Sequence, residues 1–296
     1  MIDILLATYN GDKYLENQLY SLLSQTYKDW RLLIHDDGST DDTLQIIQKF
    51  QDLDPRIQLL DDGIKCGGPA QNFLHLLKQS TADYTIFCDQ DDIWFETKLA
   101  DLKNAFENKP MLVFCDAYSY SENKGIIANK VIAVERKHLR QQLFLNGGIH
   151  GCSIMFNKPL RDKIHTIPPH QAMHDHFLTL FALSFGTLKY LNKSLMLYRQ
   201  FHENKFTTNI DTSIIKRLAS AHPVVERKHY IATQEFYNAY KEDLKPKQRT
   251  LFQEYFAYVE SKSLMSKINI ILRNNFSIYG SKMKLIVKTL IKPAIN

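Results

Sequence analysis

Cysteine is scarce and scattered in this chain. Its 296 residues include four, Cys66, Cys88, Cys115 and Cys152, with no CxxC among them. That spacing argues against a cysteine zinc cluster or a disulfide framework, and it fits a reducing compartment. Long apolar runs are missing as well. No window approaches 18 uninterrupted apolar residues, and Ile2 enters a strand-like run with no basic segment and apolar stretch before it. Neither secretion nor membrane spanning is therefore expected. The glycines match neither GxGxxG nor GxxxxGK[ST], which removes the dinucleotide fingerprint and the P-loop. No internal repeat or low-complexity segment appears.

What is present is an apolar content of 44%, enough to bury a sizeable core in one large domain, or in one domain with an appendage. Charge is unevenly distributed. Residues 1–100 carry 17 acidic against 8 basic residues, net −9, while the remaining chain carries 29 basic against 15 acidic, net +14. An acidic front half does not suit a nucleic-acid grip, so no nucleic-acid partner is expected. A basic rear half suits anionic lipid or anionic ligands.

Hydrophobic periodicity predicts strands over 2–7, 30–34, 57–60 and 84–88, alternating with helices over 14–24, 43–50 and 69–78. Such alternation implies right-handed crossovers and a largely parallel sheet. Later stretches predict strands at 112–115 and 153–156, a helix over 174–185, and a helical pattern from about Ile214 onward. Open parallel sheets bind ligands beyond the carboxyl ends of their strands. Here those ends carry Thr8 to Gly11, Asp36 and Asp37, and Asp89 to Asp92. Three carboxylates, Asp89, Asp91 and Asp92, follow the apolar Thr85 to Cys88. Like charges this close repel in a partly dry site and call for a compensating cation, and hard oxygen ligands suit Mg²⁺ or Mn²⁺. Such ions commonly bridge carboxylates to substrate phosphates, which points to a phosphorylated substrate. The loop Asn146 to Cys152 is glycine-rich and able to let a ligand approach backbone closely.

The tail has its own signature. After Glu260 there is no acid, yet seven basic residues follow. Within 281–292, Met283, Ile286, Val287, Leu290 and Ile291 recur at helical spacing while Lys284, Lys288 and Lys292 line another face. That layout suits a helix lying on an anionic membrane, and equally a helix packed on its own domain with solvated lysines.

Several of these stretches together resemble glycosyltransferase family 2, inverting nucleotide-sugar enzymes of the GT-A fold. They are Leu5-Leu-Ala-Thr-Tyr-Asn-Gly, Leu33-Ile-His-Asp-Asp-Gly-Ser-Thr-Asp-Asp-Thr, Asn72-Phe-Leu, Phe87-Cys-Asp-Gln-Asp-Asp-Ile-Trp, His174-Asp and Tyr198-Arg-Gln. They run in the family's order over roughly the first 205 residues. The Cys-Asp-Gln-Asp-Asp-Ile-Trp form resembles the bacterial rhamnosyltransferase branch. The resemblance implies an α/β, Rossmann-like, mostly parallel sheet flanked by helices over 1–210, with a helical, basic C-terminal region over 211–296.

It also implies roles. Ala7, Thr8, Tyr9 and Asp37 would hold the donor's pyrimidine, Asp89 its ribose, and Arg199 its diphosphate. Asp91 would bind the metal, Mn²⁺ or Mg²⁺, with Asp92 behind it, and Asp175 would be the base that deprotonates the acceptor. His202 is a further metal candidate, although Phe201 interrupts the family's spacing. The donor implied is dTDP-L-rhamnose, with a UDP-hexose as the alternative, and the acceptor is a growing, lipid-linked bacterial surface glycan. The expected location is cytoplasmic, peripheral on the inner face of the membrane. Rival readings are a silent nucleotide-sugar or glycan-binding module and a nucleotidyltransferase, which would also use carboxylates and metal at strand ends.

Overall fold

The computed structural model describes residues 1–132, 136–200 and 222–295. They fall into two compact units. The first contains Met1–Ile132, Ile149–His165 and the chain from Gly186 to residue 200; the second contains 136–148, Thr166–Phe185 and 222–295.

The first unit is built on a nine-stranded sheet. Its strands are β1 (Ile2–Thr8), β2 (Trp30–Asp36), β3 (Ile57–Leu59), β4 (Tyr84–Cys88), β5 (Ile93–Trp94), β6 (Met111–Ser121), β7 (Gly125–Ala128), β8 (Ile154–Asn157) and β9 (Thr187–Arg199). The spatial order is β3-β2-β1-β4-β8-β6-β9-β5, with β7 paired to β6. The parallel half announced by the sequence is β3-β2-β1-β4. Beyond it, β8 joins β4 and β6 antiparallel, so the whole sheet is mixed. The fold is the α/β, helix-flanked architecture expected.

Near-continuous apolar strands need cover on both faces. Leu15, Leu19 and Leu22 of α1 (Asp12–Leu23) and Ile47 and Phe50 of α2 (Thr43–Leu53) join Ile4, Leu6, Ile34 and Cys88 in one buried cluster. The alternate strand residues face the other way, where Phe87 meets Phe73 of α3 (Pro69–Gln79) with ring centroids 5.1 Å apart. Pro69 opens α3 at a position where its missing N–H costs nothing.

At the amino end of these strands a buried carboxylate ties the sheet together. Asp3 accepts two hydrogen bonds from Arg31, each at 3.0 Å, one from the Ser80 hydroxyl at 3.0 Å, and one each from the Thr81 and Ala82 amides at 2.8 and 3.0 Å. Burial raises the Asp3 pKa, but Arg31 and these amides outweigh it and hold the carboxyl below its ordinary value.

The second unit is helical. Its helices His174–Phe185, Arg227–Tyr240, Pro246–Glu260, Leu264–Asn274 and Lys282–Ile291 enclose an aromatic core. Phe181 packs on Tyr240 and Phe144 on Tyr258, at 5.3 and 4.9 Å between centroids. The helix that begins at His174 thus belongs with the C-terminal helices, because Phe177 and Phe181 complete their core. The expected boundary at 210/211 lies outside the described residues. None of the helices described is long and apolar enough to cross a membrane.

In Lys282–Ile291 only Leu285 and Thr289 are buried, and Thr289 is hydrogen-bonded to Tyr258 at 2.7 Å. Met283, Val287, Leu290 and Ile291 are exposed, at 66, 44, 53 and 49%. Lys288 departs from the expected solvated face. It reaches the Val224 carbonyl at 3.3 Å, and burial lowers its pKa.

Candidate active site

The carboxyl ends of β2, β1 and β4 are adjacent, because β1 pairs in parallel with both neighbours: Thr8 lies opposite Asp36 and Leu6 opposite Cys88. Ala7, Thr8, Tyr9, Asp37, Asp89 and Asp91 therefore sit on one rim of the sheet. Side chains lace the three exits together. Gln90 accepts from the Tyr9 amide at 2.9 Å and donates to the Tyr9 carbonyl at 3.0 Å, bridging the β4 and β1 exits. A Cβ at Gly11 would overlap the Gln90 amide, so glycine permits that bridge. Thr8 donates to Asp36 at 2.8 Å, and Asn10 takes a left-handed φ of 45° while its Oδ1 accepts the Thr40 amide at 2.9 Å.

Asp37 is already positioned. Its Oδ1 accepts the amides of Cys66 and Gly67 at 2.5 and 3.0 Å, and its Oδ2 accepts the amide of Gly68 at 2.8 Å. A carboxylate oxygen has two lone pairs, so Oδ2 retains acceptor capacity.

The β4 exit is different. Burial raises the pKa of Asp91 against the opposing pull of Arg199, and burial followed by repulsion from Asp89 and Asp91 pushes Asp92 well above the carboxylate range. Asp92 Oδ2 is buried without a hydrogen-bond partner. Ligand atoms of Asp89, Asp92 and Cys152 lie within 4.8 Å of one another; Asp91 is outside that group. Cys152 carries a fully buried thiol whose pKa burial raises strongly. Desolvated like charges and an orphaned carboxylate oxygen fit a bound divalent cation.

Arg199 reaches this exit from the end of β9. Its Nε donates to the Asp91 carbonyl at 2.8 Å, its Nη1 pairs with Glu122 at 2.8 Å, and its guanidinium lies 4.3 Å from the Tyr14 ring. His202 lies outside the described residues.

Lys98 was not expected here. It was not singled out from the sequence, and it is fully buried. Its ammonium donates to the Cys152 carbonyl at 2.7 Å, sits 3.7 Å from the Trp94 ring, and draws the Asp92 pKa down against the other influences. Its only early signal was the placement of a cation six residues past an acidic cluster, a spacing with no fixed meaning.

Asp175 stands in the first turn of the helix His174–Phe185 in the second unit. Burial raises its pKa to about 6, opposed by the His176 amide and by Arg136, and its Oδ1 is buried without a partner. A carboxylate near that value is basic enough to accept a proton and largely ionised at neutral pH. Gly148 packs against this turn so closely that a Cβ would overlap the Asp175 carbonyl. Gly148 of the glycine-rich loop thus allows close approach to a helix start.

This fold and rim define a GT-A glycosyltransferase. The chain belongs to glycosyl transferase family 2, whose family model matches residues 3–164. It is 34% identical over 223 residues to the dTDP-rhamnosyl transferase RfbG of Shigella flexneri, covering 69% of this chain and 74% of that protein. It is 28% identical to the E. coli protein named UDP-Glc:alpha-D-GlcNAc-diphosphoundecaprenol beta-1,3-glucosyltransferase WfgD, over 65% of this chain and 73% of that one. Among solved structures, S. aureus TarS 1–349 in complex with UDP-GlcNAc superposes with a TM-score of 0.58 at 17% identity, over 91% of this chain and 79% of that one. The mannosyltransferase PcManGT of Pyrobaculum calidifontis, solved with GDP-Man and Mn²⁺, gives 0.57 at 14% identity, over 92% and 73%. These last two likenesses bear on the fold.

Proposed function

We propose that this glycosyltransferase is metal-dependent and inverting, and that it moves L-rhamnose from dTDP-L-rhamnose to a hydroxyl of a growing, lipid-linked bacterial surface glycan. The observation that carries the metal reading is the orphaned Asp92 oxygen in a desolvated carboxylate cluster, at a strand exit separated from the Asp37 exit by β1 alone. Asp37 accepts the pyrimidine N3–H through Oδ2, with Ala7, Thr8 and Tyr9 lining the base and Asp89 the ribose. Asp91, with Asp92 behind it, would hold Mn²⁺ or Mg²⁺, which when bound would neutralise the diphosphate leaving group. Arg199 steadies the loop that carries Asp91 through its backbone carbonyl. Asp175 takes the acceptor hydroxyl's proton as the new C1–O bond forms and the C1–O bond to diphosphate breaks. A single displacement inverts the anomeric centre, by the stereochemical logic of single-step glycoside hydrolysis.

Rhamnose is favoured by the RfbG likeness. A UDP-hexose donor is the second reading, favoured by the name of WfgD, and the base-holding carboxylate accepts either pyrimidine. Thermal shift against a panel of nucleotide sugars with Mn²⁺ separates them, since ligand that binds the native state raises its melting point. The largest shift, with sugar transfer, is expected for dTDP-L-rhamnose; a larger UDP-hexose shift overturns the donor assignment.

The tail helix is proposed to rest on anionic lipid at the inner face of the membrane. Its exposed Met283, Val287, Leu290 and Ile291, in a stretch without acids after Glu260, support that reading. Replacing Met283 and Leu290 by Ser is expected to weaken binding to phosphatidylserine vesicles about tenfold, from the apolar burial lost. Equal sedimentation with vesicles contradicts it.

A further inference from the structure

A second cluster of ligand-capable side chains lies outside the carboxylate site. His35 at the end of β2, Asp62 in the segment after β3 and His75 on α3 bring a ring nitrogen or carboxylate oxygen each to within 4.8 Å of one another. His75 Nε2 lies 2.6 Å from Asp62 Oδ2, His35 Nε2 lies 3.4 Å from Asp62 Oδ1, and the two imidazole rings meet edge to face at 4.8 Å.

The surroundings fix how His35 presents itself. Asn72 Nδ2 donates to the His35 carbonyl at 3.1 Å, which turns Asn72 Oδ1 toward His35 Nδ1, 2.8 Å away. An amide oxygen only accepts, so Nδ1 carries the hydrogen. In the neutral imidazole Nε2 then carries a bare lone pair 3.4 Å from a carboxylate oxygen, a repulsive pairing that a positive charge between them, a proton or a metal ion, relieves. Fixing one ring nitrogen by a hydrogen bond so that the other is free to ligate is how metal-binding histidines are oriented.

We propose that His35, Asp62 and His75 form a divalent transition-metal site, best suited to Zn²⁺, separate from the carboxylate site. Two imidazole nitrogens and a carboxylate match the donor set of zinc, and three protein ligands leave a fourth position for water. Metal–ligand bonds of about 2.0–2.2 Å place tetrahedral ligands roughly 3.3 Å apart. The His35–Asp62 pair already has that spacing, and His75 needs to withdraw by less than about 1 Å from its hydrogen bond. The Asp62 side chain is 33% exposed and that of His75 15%, so an ion can enter, whereas His35 at 1% supplies a rigid anchor.

The consequence is structural. The ion would clip the segment that begins after β3 to β2 and α3. A few residues on, that same segment supplies the Cys66, Gly67 and Gly68 amides that hold Asp37.

The test uses the full chain, stripped with chelator and then titrated with Zn²⁺ alone by calorimetry and with Co²⁺ alone by visible absorption. The wild type is expected to bind one Zn²⁺ and to develop the intense visible bands of tetrahedral cobalt. His75→Gln, at a partly exposed position, should keep its melting point, bind at least about tenfold more weakly and lose the bands. Asp91→Asn should keep both signals. Absence of zinc binding by the wild type, unchanged binding in His75→Gln, or loss of the bands in Asp91→Asn instead, overturns the proposal.

Discussion

The two ends of the same parallel strands carry buried carboxylates with opposite fates. At the amino end, Asp3 is saturated by Arg31, the Ser80 hydroxyl and two backbone amides, and its pKa is held down. At the carboxyl end, Asp91 and Asp92 are desolvated, repel one another and titrate high, and Asp92 keeps an orphaned oxygen. The first arrangement stabilises the fold. The second destabilises it and makes sense as a receptor for positive charge, the usual signature of a site where function outweighs stability. Asp37 occupies a middle position: three amides orient it, and one lone pair remains for a ligand.

That contrast breaks or sharpens under mutation. The largest effect is expected from Asp91→Ala. Transfer should fall on the order of 10³-fold or more, because charge stabilisation of the leaving diphosphate is worth several kcal/mol. The melting point should hold or rise, since a desolvated carboxylate is removed. A fall in melting point as large as that of an Asp3 variant would erase the distinction between the two ends.

Asp175→Asn should bind donor normally and lose transfer by a factor on the order of 10² to 10⁴, the range for a general base. In the wild type, kcat/KM should fall tenfold per pH unit below about 6, the value to which burial raises Asp175, as the base becomes protonated. The variant should lack that acid limb, and a pH profile identical to the wild type would remove Asp175 from the reaction.

Asp3→Ala should cost about 3 kcal/mol, measured by urea unfolding, because it strands buried amides and uncouples Arg31. The sign follows from its lowered pKa. The contribution of Asp3 is present above the unfolded-state value of about 3.9 and is lost as pH falls through the lower folded value. A native-like midpoint in this variant would show that the saturated network contributes little.

The smallest effect has the opposite sign. Asp92→Asn should stabilise the metal-free protein by about 1 kcal/mol, by replacing a desolvated charge that its neighbouring carboxylates repel with an amide able to donate to them. Because the folded pKa is raised, the wild type loses stability as pH climbs from about 3.9 toward that higher value. The gap between variant and wild type should therefore be small in acid and widen toward neutrality. A gap constant with pH would remove Asp92 ionisation as the cause.

Much of the first unit was legible because its strands are apolar on both faces and its helices keep a 3.6-residue period. The strands 2–7 and 84–88 and the helix 174–185 emerge within a residue or so of their observed bounds. β9 was less legible: Thr187–Arg199 mixes lysines with apolar residues and pairs with two strands, so no clean period-2 pattern survives. β5 is two residues long. The carboxylates of the rim were visible as a cluster. What was invisible was set by tertiary contact alone: Lys98 buried near them, Gln90 bridging two exits, and His35, Asp62 and His75 meeting across 40 residues of chain. No local pattern marks a lysine that will be buried or histidines that will converge.

The central claim is that Lys98 and Arg199 leave the carboxylates of the β4 exit short of positive charge, and that a divalent ion bound along with the donor's diphosphate supplies the rest. Calorimetric titration of dTDP into the chelator-treated protein, with and without Mn²⁺, tests it most directly when wild type and Asp91→Ala are run side by side. The account predicts that Mn²⁺ strengthens dTDP binding to the wild type by at least about tenfold and has little effect on the variant. Equal dTDP affinity with and without Mn²⁺ in the wild type would contradict it.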